Sequence, residues 1–303
     1  MLNKFFSFLV VAVSIRASAA TFDLKSDYQG FVSIDTKELY VDYLAPKSGR
    51  PTVILLNGLT YSTVQWDKMV LTLKAKGLGV LRYDMYGMGK TLLKYGLPDS
   101  AIPYTEQVTD LHRLLNSIKM LPPYNVVGLS YGGGIAAVFA AKYPSTIQNV
   151  VMFAPYTQAL EQQDTWIKKQ VAMTRLQYPF NPYSDDAIYD YFLKEIVYTT
   201  YPSVEPIVLE NPYKLEAVFR MTQGIRKLTV SDEVTTFPAN SAYLVIAEKD
   251  QYIPQQVLED FWLTLPPASR VEKIYVKDSE HKMPEAQPVV SAEIVDRIVS
   301  RTK

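Results

Sequence analysis

Asn125-Val126-Val127-Gly128-Leu129-Ser130-Tyr131-Gly132-Gly133-Gly134-Ile135-Ala136-Ala137 is the stretch on which the reading of this chain turns. Its first half is an apolar, β-branched run of the kind that a buried strand needs, and its second half is a run of small residues suited to a closely packed helix. Between them stands Ser130 in the pattern G-x-S-x-G. A serine at so sharp a strand-to-helix turn is held in a strained conformation, and side chains two positions either side of it would collide. Gly128 and Gly132 remove both collisions. The stretch therefore predicts a strand ending at Leu129, a solvent-facing hydroxyl on Ser130 and a helix from Tyr131 to Lys142.

The same alternation runs outward in both directions. Phe31 to Ala45 alternates apolar and polar residues as two half-buried antiparallel strands would, and Val53-Ile54-Leu55-Leu56 reads as a fully buried strand. A helical pattern over Ser62 to Lys76 leads to a strand over Leu78 to Tyr83, stopped by Asp84 and the turn Gly87-Met88-Gly89. A helix is predicted over Thr105 to Leu121 and a strand over Asn149 to Ala154. After a Pro- and Tyr-rich helical stretch from Tyr156 to Asn240, strands return at Tyr243 to Ala247 and Val271 to Val276, with helices over Gln255 to Thr264 and Pro288 to Val299. Repeated βα units after antiparallel opening strands require a mostly parallel sheet with helices on both faces. The core is therefore expected to be discontinuous, 20–155 and 241–303, with 156–240 inserted as a helical cap.

Residues 1–19 read as a leader: Lys4 supplies the positive start, Phe5 to Ile15 the apolar stretch, and Ala17-Ser18-Ala19 the small-residue cleavage pattern, with cleavage after Ala19 or Ala20. The apolar stretch is shorter than the roughly 20 residues that span a bilayer, so the expectation is an exported protein, periplasmic or secreted, with no stable membrane span in the mature chain. Basic and acidic residues balance at 31 each, and losing the leader removes only Lys4 and Arg16, so no field favours nucleic acid. The absence of cysteine excludes a disulfide, a thiolate nucleophile and Cys-ligated zinc, and two histidines leave little for a His-built metal site. No metal and no cofactor is expected.

A serine hydroxyl needs a base to take its proton, and the base needs an acceptor to hold its tautomer. His281, in the polar loop Asp278-Ser279-Glu280-His281-Lys282, is the candidate base, while His112 reads as a helix-face residue. Asp250, just past the strand that ends at Ala247, is the candidate acid, with Glu248 and Asp278 as competitors. The tetrahedral intermediate needs two backbone N–H donors, for which Tyr131 and Leu59 are placed.

Together these pieces resemble the α/β-hydrolase superfamily, in the branch with a helical cap between the sixth and seventh core strands. The resemblance rests on Asn57-Gly58, Ser62 and Trp66, on Tyr83-Asp84-Met85-Tyr86-Gly87-Met88-Gly89-Lys90, on the Ser130 turn, on Lys249-Asp250 and on His281-Lys282-Met283-Pro284. Asn57 where a histidine is usual, Ala247 where a glycine is common and Lys90 where a serine is frequent depart from it. The resemblance implies an α/β-hydrolase fold with a mostly parallel eight-stranded sheet, an acyl-enzyme mechanism, and substrate contacts at Asn57 and Gly58. Related dehalogenases and epoxide hydrolases use an aspartate at the turn, and Ser130 counts against both.

The leading expectation is an exported carboxylic-ester hydrolase acting on a small-molecule ester. The first alternative is a peptidase of the proline-iminopeptidase kind, whose cap would need carboxylates such as Glu195, Glu205, Glu210 or Glu216 to seat an ammonium. A hydrolase-fold binding protein with little turnover is the second. The cap's tyrosines at 156, 178, 183, 189, 191, 198, 201 and 213, with Trp166, Phe180, Phe192 and Phe219, are expected to bias it towards an apolar acyl pocket.

Overall fold

A computed structural model of the chain describes residues 22–35, 37–59, 61–96, 98–204 and 213–301. The leader reading lies outside them. Eight strands form one sheet: β1 (Tyr28–Ile34), β2 (Lys37–Leu44), β3 (Thr52–Leu56), β4 (Gly79–Asp84), β5 (Tyr124–Leu129), β6 (Ile147–Phe153), β7 (Ala242–Ala247) and β8 (Arg270–Val276). Their spatial order is β1-β2-β4-β3-β5-β6-β7-β8. β1 and β2 are antiparallel to each other, β2 is antiparallel to β4, and β4 through β8 run parallel. This is the α/β-hydrolase fold.

Eleven α-helices accompany the sheet among the described residues: α1 (Asp67–Ala75), α2 (Gly89–Tyr95), α3 (Tyr104–Ser117), α4 (Tyr131–Lys142), α5 (Glu161–Gln177), α6 (Asp185–Val204), α7 (Lys214–Arg226), α8 (Val230–Glu233), α9 (Gln255–Thr264), α10 (Met283–Ala286) and α11 (Pro288–Val299). Successive strand residues point to opposite faces, and both faces are covered, which is why the central strands read as unbroken apolar runs. Val53, Leu55, Val127, Leu129, Val151 and Phe153 pack on the side of α1 and α11. Ile54, Leu56, Val126, Val150 and Met152 pack into the larger cluster on the other side. Each such buried side chain contributes about 1.5–3 kcal/mol.

Two local readings are corrected. The helix expected to reach Leu121 ends at Ser117, because Lys119 takes φ 56 and turns the chain away. The segment after Gly89, left without an element in the sequence reading, forms α2. α5 to α8 lie between β6 and β7, and α7 docks on the core through the Ile102 N–H, which donates to the Arg220 carbonyl at 2.9 Å.

Candidate active site

β5 delivers Ser130 at the carboxyl edge of the parallel strands, where open α/β sheets gather their functional loops. Ser130 adopts φ 53 and ψ −114, the strained conformation foreseen for the turn. The strain is held by neighbours on both sides. The Ser130 N–H donates to the Phe153 carbonyl at 2.9 Å, and the Ser130 carbonyl accepts the N–H groups of Gly134 at 3.0 Å and Tyr156 at 2.8 Å. A Cβ on Gly128 would overlap the Gly132 carbonyl, and one on Gly132 would overlap the carbonyl of Leu56. Those glycines let α4 lie against β3 and β5 at backbone distance.

Two strands further along the sheet, Asp250 follows β7, and His281 follows β8. His281 Nδ1 and Asp250 Oδ2 are 2.8 Å apart, and the Asp250 side chain is 3 % exposed. Asp250 Oδ1 accepts the N–H groups of Tyr252 at 2.8 Å and Ile253 at 2.9 Å, so both carboxylate oxygens are committed and the side chain cannot swing away. The Tyr252 ring meets the imidazole edge to face at 5.1 Å. The competing acids are elsewhere: Glu248 accepts the Asp278 N–H, and Asp278 pairs with Lys249 at 2.7 Å, all three being exposed. His112 stacks on Tyr143 at 4.1 Å on the outer side of α3. Asp250 thus fixes His281 through Nδ1 and leaves Nε2 as its other ring nitrogen.

The loop after β3 carries Leu59, which is 8 % exposed. Asn57 and Gly58, expected to contact substrate, have their side-chain and N–H groups engaged within the protein. Asn57 is fully buried, donating from Nδ2 to the Tyr83 carbonyl at 3.0 Å and accepting the Trp66 indole N–H on Oδ1 at 2.8 Å. The Gly58 N–H is spent on Gln65 Oε1 at 2.8 Å. Both residues brace the Leu59 loop from behind. Gln65, a brace that sequence reasoning missed, also reaches Glu285 in α10 at 3.3 Å and so ties the Leu59 loop to the segment that follows His281. Nothing in its sequence surroundings marks it. Asp84 accepts the N–H groups of Thr63 and Lys90 at 2.7 Å each, and its burial, only partly offset by those donors, raises its carboxyl above the ordinary value.

The aromatic residues of the insertion range from buried to exposed, with Phe192 and Tyr213 half-buried against the core. Tyr156, Tyr189 and Phe219 are buried in the core cluster. Tyr178, Phe180, Tyr183 and Tyr191 are 63%, 95%, 66% and 61% exposed, which corrects the expectation that they line an acyl pocket. The Tyr201 side chain, Glu205 and Glu210 lie outside the described residues. Glu216 is enclosed by Lys194 at 2.9 Å, Arg220 at 2.9 Å and the Tyr198 hydroxyl at 2.8 Å. Burial opposes its ionisation, but these partners outweigh it and hold the carboxyl below its ordinary value. Glu195 is exposed on α6. No described helix is long and apolar enough to cross a membrane.

The sequence profile of the serine aminopeptidase S33 family matches residues 47–284. A Synechocystis sp. protein named as a non-heme chloroperoxidase is 31% identical over 121 residues, 40% of this chain and 41% of that protein. The Xenopus laevis monoacylglycerol lipase abhd6-B is 32% identical over 110 residues, 35% of this chain and 31% of that protein. This chain thus spans about two fifths of the length of the first of these relatives and under a third of the second. Among solved structures, the α/β-hydrolase enzyme MGS-M2 from a Medee basin deep-sea metagenome library superposes with a TM-score of 0.66 at 20% identity, covering 90% of this chain and 98% of that one.

Proposed function

The chain belongs to the serine aminopeptidase S33 family of α/β-hydrolases, and from that premise we propose that it is a serine hydrolase that cleaves carboxylic esters through an acyl-enzyme intermediate. The observation that carries the reading is the His281–Asp250 pair at 2.8 Å, set at the same sheet edge as the strained serine. Ser130 Oγ attacks the acyl carbon while His281 Nε2 takes its proton. Asp250 accepts from Nδ1–H, holding the tautomer and stabilising the imidazolium. The N–H groups of Leu59 and Tyr131 receive the oxyanion. His281 then returns the proton to the leaving alkoxide, the ester bond breaks, and the alcohol departs. Water, deprotonated by His281, attacks the acyl carbon and releases the acid and the free serine.

Ester over peptide substrates is supported by the state of Glu216, one of the acids offered for holding an ammonium, which two cations and a tyrosine already occupy. The activity in the family's name, aminopeptidase, supports the second reading, and that in a relative's name, monoacylglycerol lipase, supports the first. Export is proposed on the leader alone, and N-terminal sequencing of the mature protein tests it.

The deciding experiment compares p-nitrophenyl butyrate and hexanoate with a prolyl anilide, in wild type and in Ser130→Ala. Wild type should prefer the esters, and Ser130→Ala should lose at least about 10⁴-fold in kcat with its fold intact. A faster prolyl anilide moves the protein to the peptidase reading. An untouched wild-type serine towards a fluorophosphonate probe would falsify the hydrolase reading in favour of a binding protein.

A further inference from the structure

The N–H of Tyr131 and the carbonyl of Ser130 belong to one planar peptide unit, so fixing the carbonyl fixes the direction of the N–H. That carbonyl is held by the N–H groups of Gly134 in the helix and of Tyr156 in the loop after β6. Tyr156 therefore bears on the aim of the donor, and what holds Tyr156 bears on it in turn.

Tyr104, the first residue of α3, holds it. Its side chain is fully buried, so its hydroxyl must find an acceptor inside the protein, and it donates to the Tyr156 carbonyl at 2.6 Å. Burial raises its phenol well above the ordinary value, which keeps the donor protonated. The Tyr104 ring also stacks on the Tyr131 ring, with centroids 4.8 Å apart and planes at 23°. A Cβ on Gly134 would come within 2.5 Å of the Tyr156 carbonyl and 2.8 Å of the Tyr104 hydroxyl, so the helix, the loop and the tyrosine close on one point. Tyr104 thus grips the Ser130–Tyr131 peptide twice, through Tyr156 on its carbonyl side and through the Tyr131 ring on its N–H side.

We propose that Tyr104 is a positioning residue that sets the aim of the Tyr131 N–H at the oxyanion, through the Tyr156 carbonyl and the stacked Tyr131 ring. The proposal rests on the reading of Ser130 and Tyr131 given above. Its test pairs Tyr104→Phe with Tyr124→Phe. Tyr124 is also buried and its hydroxyl also donates to a backbone carbonyl, that of Met120 at 2.8 Å, but it sits at the far end of β5. Each variant loses one phenol-to-carbonyl bond, so their thermal midpoints should fall alike. With kcat normalised to fluorophosphonate-titrated sites, Tyr104→Phe should lower kcat about tenfold or more with KM within about twofold, since a misaimed oxyanion donor costs less than the 10²–10³-fold of a deleted one. Tyr124→Phe should stay near wild type. A trifluoromethyl ketone, which mimics the tetrahedral adduct, should lose affinity for Tyr104→Phe in step with kcat/KM. If Tyr104→Phe yields no folded protein, Tyr131→Leu, which removes the stacked ring and leaves every backbone N–H in place, tests the other grip with the same kinetic expectation. Equal kcat in the two phenylalanine variants, or a change confined to KM, overturns the assignment while leaving the hydrolase reading standing. A wild type that neither hydrolyses esters nor takes the fluorophosphonate overturns both.

Discussion

The elbow and the helical insertion are held by different forces. From β5 through α4, position is dictated by excluded volume and neutral hydrogen bonds: glycines where a Cβ cannot fit, tyrosines kept uncharged by burial, and peptide groups bonded to peptide groups. In the insertion, α5, α6 and α7 are tied by charge. Arg226 reaches Asp186 and Asp190 from α7 to α6 and lies 3.8 Å over the Tyr189 ring, Arg175 bonds Asp185, and Glu216 draws in Lys194 and Arg220. The acids record the contrast. Burial raises Asp84 and Asp110 in the core, against the donors and cations that face them. In the insertion, Asp164 and Glu216 are lowered because their partners outweigh burial. Steric constraints do not respond to salt or protons, whereas charge pairing does. The sheet edge that carries Ser130 can therefore stay rigid while the helices beside it loosen.

The strongest way to break this comparison is Gly132→Ala. Its Cβ overlaps the Leu56 carbonyl, which belongs to a central strand and cannot withdraw. A loss above about 4 kcal/mol is expected, read as absent folded protein or a collapsed urea midpoint. A wild-type midpoint would show that sterics do not govern the elbow.

Next in size is the His281–Asp250 pair at the same sheet edge. Asp250→Asn should cut ester hydrolysis by about 10³–10⁴-fold, because the amide cannot hold the same imidazole tautomer. Asp278→Asn and Glu248→Gln should each change it by less than about tenfold, since both acids are exposed and pair with Lys249 and the Asp278 N–H. Greater damage from either of these would reassign the acid.

Glu216→Gln sharpens the other side of the comparison. The partly exposed network around it should lose about 1 kcal/mol, seen as faster amide exchange in α6 and α7 with β5 and α4 unchanged. Uniform loss across both regions would mean that the insertion and core unfold as one.

The smallest effect is that of acid. A carboxyl whose folded value is lowered adds stability that is full above its unfolded value, near 4.5 for Glu216, and is lost as pH falls through the lower folded value. For Asp84 and Asp110 the sign reverses: their folded values are raised, so protonation on acidification removes a cost of burying charge. Amide exchange in α5 to α7, corrected for intrinsic rate, should therefore rise relative to β5 and α4 below about pH 4.5, and 1 M salt at neutral pH should act in the same direction. A core that loosens first contradicts the assignment of forces.

How much was legible follows from the range of each constraint. Gly128-Leu129-Ser130-Tyr131-Gly132 announced the strained turn because the glycine spacing about the serine is written in the sequence itself, although the carbonyl that Gly132 makes room for belongs to Leu56, far along the chain, and the apolar runs announced the strands through local periodicity. Scarcity did the rest for the base, since the chain holds only His112 and His281. The acid was different. Glu248, Asp250 and Asp278 all fall in the right loops, and only the meeting of the loops after β7 and β8 brings Asp250 to 2.8 Å from the ring. Asn57 carried no sign that it would face inward to Trp66 and Tyr83, nor Gln65 that it would span to Glu285, nor Tyr104 that it would close on Tyr156. The exposed tyrosines of the insertion were misread for the converse reason, because composition counts aromatic rings but not the side of the helix that meets the core. Local sterics and periodicity are properties of neighbouring residues and survive in a one-dimensional string. A hydrogen-bond partner tens or hundreds of residues away is chosen by the packing of whole elements, and only the folded chain contains that choice.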